Sequence, residues 1–400
     1  MSYKKSDDRT NIVIVGGGSA GVNVARPLSK SLDPAKFNVI LINPRPYIIF
    51  LIPMLRVAVS DRDNLKEQAL VPYDRLFHNG NGQFIQGTVV HINQKREEKS
   101  GEVVLDNGET VRYDALVLAT VGRAHSFPKD PSQVDPFINN RRQEFAKAKN
   151  ILIVGGGSVG IELAGEIRDM WADKEITIIQ RDKLLLNSTY PEKMRRGIQK
   201  QIESRNVKVI LNDSLEGDIP EGPYSGTIQT QKGKALNPDL IVKTWGTKPD
   251  TEFIGASLGT DILSSQGLVK VNATLQLPAY PNIFAAGDIV DWPEQKQASK
   301  AANHAGIVAK NIISYATGKP VKKLYKGSTE FIMVTNGKES GLAYVDVLWG
   351  LMLGPWLNCD VQVKESRFAI PSSPSGIFLI PLSILFDSLL GLVLHFPVNI

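Results

Sequence analysis

The chain has almost no cysteine. Cys359 stands alone in 400 residues. A disulfide framework is therefore excluded, and so is a Cys-x-x-Cys relay. Redox chemistry in this chain cannot run through a protein dithiol. Histidine is scarce as well: His78, His91, His125 and His395 are far apart and suggest no metal site. No block of one charge is present. The 46 Lys and Arg are scattered among 41 Asp and Glu, for a net charge of +5. That pattern argues against nucleic acid as a partner and suits phosphate-rich small molecules or an anionic membrane surface. The opening stretch Met1-Ser2-Tyr3-Lys4-Lys5-Ser6-Asp7-Asp8-Arg9 is polar and carries acids, so it reads as neither a signal peptide nor a transit peptide. Ser2 in place of glycine excludes N-myristoylation. The expectation is a protein that is not secreted.

What the chain does have is two glycine fingerprints. Gly16-Gly17-Gly18-Ser19-Ala20-Gly21 follows the apolar run Ile12-Val13-Ile14-Val15, and Gly155-Gly156-Gly157-Ser158-Val159-Gly160 follows Ile151-Leu152-Ile153-Val154. Each has the G-x-G-x-x-G spacing between a strand-like and a helix-like run, the context of a dinucleotide-binding turn. The first glycine makes the tight turn. The second lets the backbone approach a pyrophosphate. The third lets the helix pack against the strand, with its N-terminus facing the phosphates. Two such units imply two dinucleotides on one polypeptide, most simply a flavin and a nicotinamide.

The length suits two or three domains. Residues 11–43 read as strand, turn, helix and strand, ending at Asn43, where a dinucleotide fold usually has an acid for the ribose hydroxyls. Residues 85–118 read as short strands around an Asp106-Asn107-Gly108 hairpin turn. Residues 121–149 read as a charged, loop-rich crossover. The second unit spans 150–180 and closes at Gln180-Arg181. A strand follows at Asp239-Leu240-Ile241-Val242, then Trp245-Gly246, then Asn282-Ile283-Phe284-Ala285-Ala286-Gly287-Asp288, then a helix-like run over 298–313.

This order of motifs (fingerprint, Tyr113-Asp114 with Ala119-Thr120, second fingerprint, Gly246, Gly287-Asp288) resembles the flavoproteins with two dinucleotide-binding domains, over about residues 10–345. Within them the chain looks most like the apoptosis-inducing-factor-like, ferroptosis-suppressor-like NAD(P)H:quinone oxidoreductases, with type II NADH dehydrogenases as cousins. The supporting residues are Phe50-Leu51-Ile52-Pro53 with Arg56 and Val59-Ser60, Lys300-Ala301-Ala302-Asn303-His304-Ala305, and Met333-Val334-Thr335-Asn336-Gly337-Lys338. Val121-Gly122 departs from the family, in which glycine commonly follows Ala-Thr directly.

The resemblance implies an α/β fold of two Rossmann-like domains, glutathione-reductase-like, plus a small C-terminal region. The FAD-binding domain would be discontinuous, residues 10–122 and 265–325, with NAD(P)H on 123–264 and a C-terminal region over 326–376. It implies FAD on Gly16, Gly18, Ser19, Ala20, Gly21, Asn43, Arg56, Val89, Ala119, Thr120, Gly287 and Asp288. It implies NAD(P)H on Gly155, Gly157, Gly160, Gln180, Arg181 and Gly246. An acid at the position of Gln180 would favour NADH; its absence, with Arg181 and Lys183 nearby, leans toward NADPH or dual use. Glu162 would stand near the two rings, Lys300 beside the flavin, and His304 where it could pass protons to a quinone. The expected activity is hydride transfer from NAD(P)H to FAD, then electron transfer to a quinone-like acceptor. Two rivals stand beside it: a regulatory flavoprotein of low turnover, and a flavin enzyme of a biosynthetic pathway.

The C-terminal end differs in character. Residues 346–357 are apolar with Trp349 and Trp356, and 377–394 are apolar apart from Ser383, Asp387 and Ser388, with Pro381 inside. Trp favours a membrane interface, and an acid within the run opposes a clean span. The tail, 377–400, is expected to attach in a monotopic or re-entrant way, which places the protein at the cytoplasmic side of a membrane, such as that of a mitochondrion or lipid droplet, or else in the cytoplasm. Packing on the fold is the other reading, and a homodimer is left open.

Overall fold

A computed structural model describes residues 8–354, apart from 121, 123–126, 247, 339, 348 and 349. The first sheet has six strands in the order Gln276–Leu277, Tyr280–Ala285, Ala115–Leu118, Thr10–Val15, Phe37–Asn43 and Gln83–Gln86. Every neighbouring pair is parallel except Gln276–Leu277 with Tyr280–Ala285. Its strands thus come from both sides of the second unit. The central strand reads as an unbroken apolar run because both of its faces are covered: Ile12, Val13 and Ile14 are fully buried. The hairpin around Asp106-Asn107-Gly108 is present, with Gly108 at φ +83° between the strands Gly101–Leu105 and Thr110–Tyr113.

The second sheet repeats the plan. Val207–Leu211, Glu175–Gln180, Asn150–Val154 and Leu240–Lys243 lie parallel, in that order. A third, antiparallel sheet of Phe331–Thr335, Gly341–Val345 and Leu351–Leu353 packs on this second unit. Val334 and Tyr344 share a core with Ile153, Ile161 and Ile198.

One expectation needs correction. Residues 121–149 are not all loop, because Val134–Lys147 is a helix. Pro131 opens the preceding 3-10 turn, where the Asp130 side chain accepts the Ser132 N–H. The helix buries Val134, Ile138 and Phe145, and Lys174 Nζ donates to the carbonyls of Ala146 and Ala148 at its far end. Three apolar positions in a charged stretch were too thin a stripe to read. Within the apolar run 346–357, Leu351–Leu353 is a strand of the third sheet. Trp349, Trp356, Cys359 and the tail 377–400 lie outside the described residues. Among the described residues no helix is long and apolar enough to cross a membrane.

Candidate functional site

The two glycine loops are built by the same device. In the first, Gly16 at φ +105° turns the chain off its strand. A Cβ on Gly21 would lie 1.8 Å from the Gly16 carbonyl oxygen, so the helix Ser19–Ser31 can sit this close only without one. Asn43 Oδ1 accepts the Gly17 N–H at 2.9 Å, and Tyr73 Oη donates to the Gly17 carbonyl. In the second loop Gly155 stands at φ +120°, and a Cβ on Gly160 would lie 2.1 Å from the Gly155 carbonyl oxygen. Gln180 Oε1 accepts the Gly156 N–H at 2.8 Å, and Thr244 Oγ1 donates to the Gly155 carbonyl at 2.8 Å. The amides Asn43 and Gln180 thus brace their loops at equivalent places.

Both loops feed helices of 13 residues, Ser19–Ser31 and Ser158–Met170. Their N-caps, Gly18 and Gly157, offer no side-chain hydrogen bond, and neither first turn holds an acid. The leading N–H groups and the positive dipole end are therefore free of side-chain compensation. A Cβ on Gly157 would meet nothing within 4 Å. This is a cradle shaped for a pyrophosphate, and the residues present fit a dinucleotide in each unit.

Gly287-Asp288 closes the first cradle. Gly287 stands at φ +84°, and a Cβ there would be 2.9 Å from Ala20 Cβ and 3.9 Å from Ala301 Cβ. The first turns of Ser19–Ser31 and of the long helix Ala298–Ala316 therefore converge on this turn. Burial pushes the Asp288 carboxyl above its ordinary value, while nearby Lys296 pulls it back. No described residue gives Asp288 a hydrogen bond. A half-buried carboxylate with no donor from the described residues can accept from a ribityl or ribose hydroxyl.

The other expected residues fall into several places. Ala119 N–H donates to Val15 O at 2.8 Å, and its carbonyl lies under Gly16. Thr120 Oγ1 donates to the Asp250 carbonyl at 2.9 Å, tying the end of one sheet strand to the second unit. Val89 is buried in the antiparallel sheet opposite Leu105. Gly246 is exposed beside Trp245, whose ring lies under Lys243 Nζ. The Arg181 side chain is 84% exposed, with Asp182 at 3.8 Å. Glu162 Oε1 accepts from Thr335, from its N–H at 3.2 Å and its Oγ1 at 3.3 Å.

Two side chains, Arg56 and His304, stand differently from the sequence reading. Arg56 was expected at the cofactor. Instead its Nε and Nη2 each lie 2.9 Å from the two oxygens of Glu166, on the second fingerprint helix, with both side chains 5% exposed. The fork is committed to an ion pair between the units. His304 was expected as a proton donor to substrate. It is buried, its Nδ1 accepts the Gly287 N–H at 3.2 Å, and the Tyr325 ring meets it edge-on at 4.4 Å. Its Nε2 lies 3.0 Å from Glu294 Oε1, off the direction of a hydrogen bond. Burial holds its pKa below the usual value, against the raising effect of Glu294. A neutral His304 therefore props the Gly287-Asp288 turn. Lys300 is also buried and is paired with Glu330.

The sequence reading missed Glu330, Glu294, Tyr325, Tyr190 and Glu166. None lies in a glycine motif, and only the fold brings them in. Glu330 precedes the strand Phe331–Thr335 and Thr335 ends it, so Lys300 and Glu162 are anchored near its opposite ends.

Two braced cradles on two parallel sheets define an oxidoreductase that handles two dinucleotides. The chain belongs to the pyridine nucleotide-disulphide oxidoreductase family, whose model matches residues 10–305. It is 46% identical over 310 residues to an FAD-dependent oxidoreductase of Flammulina velutipes, covering 77% of this chain and 95% of that one. It is 32% identical to apoptosis-inducing factor homolog B of Dictyostelium discoideum (85% and 90% covered) and 31% identical to ferroptosis suppressor protein 1 of Taeniopygia guttata (90% and 94% covered). In fold it is similar to the sulfide:quinone oxidoreductase of Aquifex aeolicus, with TM-score 0.75, 17% identity and 97% and 96% coverage. It is also similar to the NDH2 of Plasmodium falciparum solved with NADH, with TM-score 0.68, 17% identity and 92% and 96% coverage. The cofactors are FAD and NAD(P)H. With Cys359 alone, the chain has no cysteine pair for the disulphide chemistry in the family's name.

Proposed function

We propose that this oxidoreductase takes a hydride from NAD(P)H on the second unit through FAD on the first, and passes the electrons to a quinone or a similar small lipophilic acceptor. The carrying observation is the pair of matched cradles in a chain without a dithiol. When bound, FAD supplies the hydride-accepting ring and the onward redox chemistry; the protein supplies binding and electrostatics. Gly16, Gly18, Ser19, Ala20 and Gly21 hold the FAD pyrophosphate, and Asp288 accepts from its hydroxyls. Gly155, Gly157 and Gly160 hold the NAD(P)H pyrophosphate. Glu162, fixed by Thr335, faces the meeting place of the rings, and Lys300 lies on the flavin side. His304 keeps the Gly287-Asp288 turn in place and does not touch substrate.

Arg181 stands free enough to meet a 2′-phosphate, so NADPH is used at least as well as NADH. A lipophilic acceptor suits the exposed Leu51 and Ile52, on the helix that also carries Arg56. Attachment of residues 377–400 to a membrane surface would bring the site to such an acceptor.

The test is acceptor kinetics on the purified chain. After anaerobic bleaching by NADPH or NADH, quinones should restore the flavin spectrum far faster than oxygen alone. If no quinone outruns oxygen, the quinone reading fails and the low-turnover, regulatory reading takes its place.

A further inference from the structure

The Glu330 carboxylate joins three parts of the molecule. Its Oε2 is paired with Lys300 Nζ. Its Oε1 accepts from Gln297 Nε2 at 2.8 Å and from Tyr190 Oη at 3.0 Å. Gln297 and Lys300 open the helix Ala298–Ala316 as its N-cap and first turn, Tyr190 comes from the second unit, and Glu330 precedes the third sheet. The Lys300 and Glu330 side chains are 3% and 13% exposed.

This cluster lies beside the Gly287-Asp288 turn of the first unit. Ala301, next to Lys300, borders Gly287, and Lys296 interacts with both Asp288 and Lys300. A buried ammonium at a helix N-terminus adds to the positive dipole end, and both favour negative charge nearby. A carboxylate in contact with that ammonium cancels most of its field.

We propose that Glu330 is a positioning residue: held by Tyr190 and Gln297, it fixes Lys300 and offsets its charge beside the flavin, and so sets how readily bound FAD is reduced. This rests on FAD occupying the first cradle with Lys300 at its side.

The midpoint potential of bound FAD tests it, measured by anaerobic reduction against reference dyes in wild type, E330Q, K300M and the double variant. E330Q leaves Lys300 unopposed and should favour reduced FAD about tenfold, ~30 mV upward for two electrons. K300M should shift the equilibrium the other way by a similar factor. The double variant should return close to wild type, because it removes both charges of the pair. It also decides the matter if E330Q alone loses FAD around an unpaired buried ammonium. An E330Q potential equal to wild type while K300M lowers it overturns the proposal. So does a double variant as low as K300M. If neither single variant moves the potential, Lys300 is not beside the flavin, and the reading beneath the proposal fails with it.

Discussion

At the scale of single residues, the side chains around the first cradle are held at a cost to the fold. Burial raises the Asp288 pKa, so its charged form is disfavoured in the folded protein. The stability that the protonated carboxyl would give is therefore lost as pH rises through the folded pKa. Asp288→Asn should leave the apoprotein's melting temperature equal or higher. It should also weaken FAD binding by about 1.5–3 kcal/mol, the worth of hydrogen bonds to a charged group. A drop in apoprotein stability would assign Asp288 to the fold instead. His304 works in the opposite direction. Its pKa is held below 6.5 by burial. The unfolded chain takes up the extra proton first, so stability falls as pH drops below about 6.5. His304→Asn can still accept the Gly287 N–H. Its thermal unfolding should depend less on pH than the wild type's between about pH 6.5 and 5; parallel profiles would contradict the buried, neutral role. Gly157→Val separates ligand from fold in the second cradle. The position has φ −76° and open space around its missing Cβ. The variant should keep its FAD spectrum while its KM for NAD(P)H rises about tenfold or more, a loss of about 1.4 kcal/mol.

Among whole elements, the units with a short-range signature were legible and those made by long-range contact were not. Each glycine unit carries its turn, its apolar strand and its helix start within about thirty residues, so local sterics specify it. Even there, the roles of Asn43 and Gln180 were read as ribose contacts, whereas each first braces its own loop. The helix Val134–Lys147 was hidden because three buried side chains carry its apolar face. The Arg56–Glu166 pair was hidden because its partners are 110 residues apart. That pair clamps the helix Leu51–Val59 to the second fingerprint helix. Arg56→Met should cost about 3–5 kcal/mol, because it leaves an uncompensated buried carboxylate. Arg56→Met with Glu166→Leu should recover much of that loss in a double-mutant cycle of denaturant unfolding. Additive losses would mean that the two side chains act independently.

Across the whole molecule, the sequence announced two dinucleotides but not the bar between them. The strand Phe331–Thr335 links Lys300, through Glu330, to Glu162, through Thr335. No local pattern marks Glu330. The family resemblance brought Met333-Val334-Thr335-Asn336-Gly337-Lys338 to notice without its contacts. On the proposed attachment of residues 377–400 to a membrane surface, their removal should move the protein from the membrane fraction to the soluble one and leave its flavin content and its oxidation of NAD(P)H by a water-soluble quinone intact. Loss of flavin on truncation would place the tail in the fold.

The central claim is that the two cradles serve one electron path. Its most direct test is a single turnover followed by stopped flow: FAD-loaded protein mixed anaerobically with one equivalent of NADPH or NADH. The account predicts loss of the oxidised flavin absorbance in step with loss of the nicotinamide absorbance, slowed in Gly157→Val. A flavin that stays oxidised while the nicotinamide remains bound would contradict it.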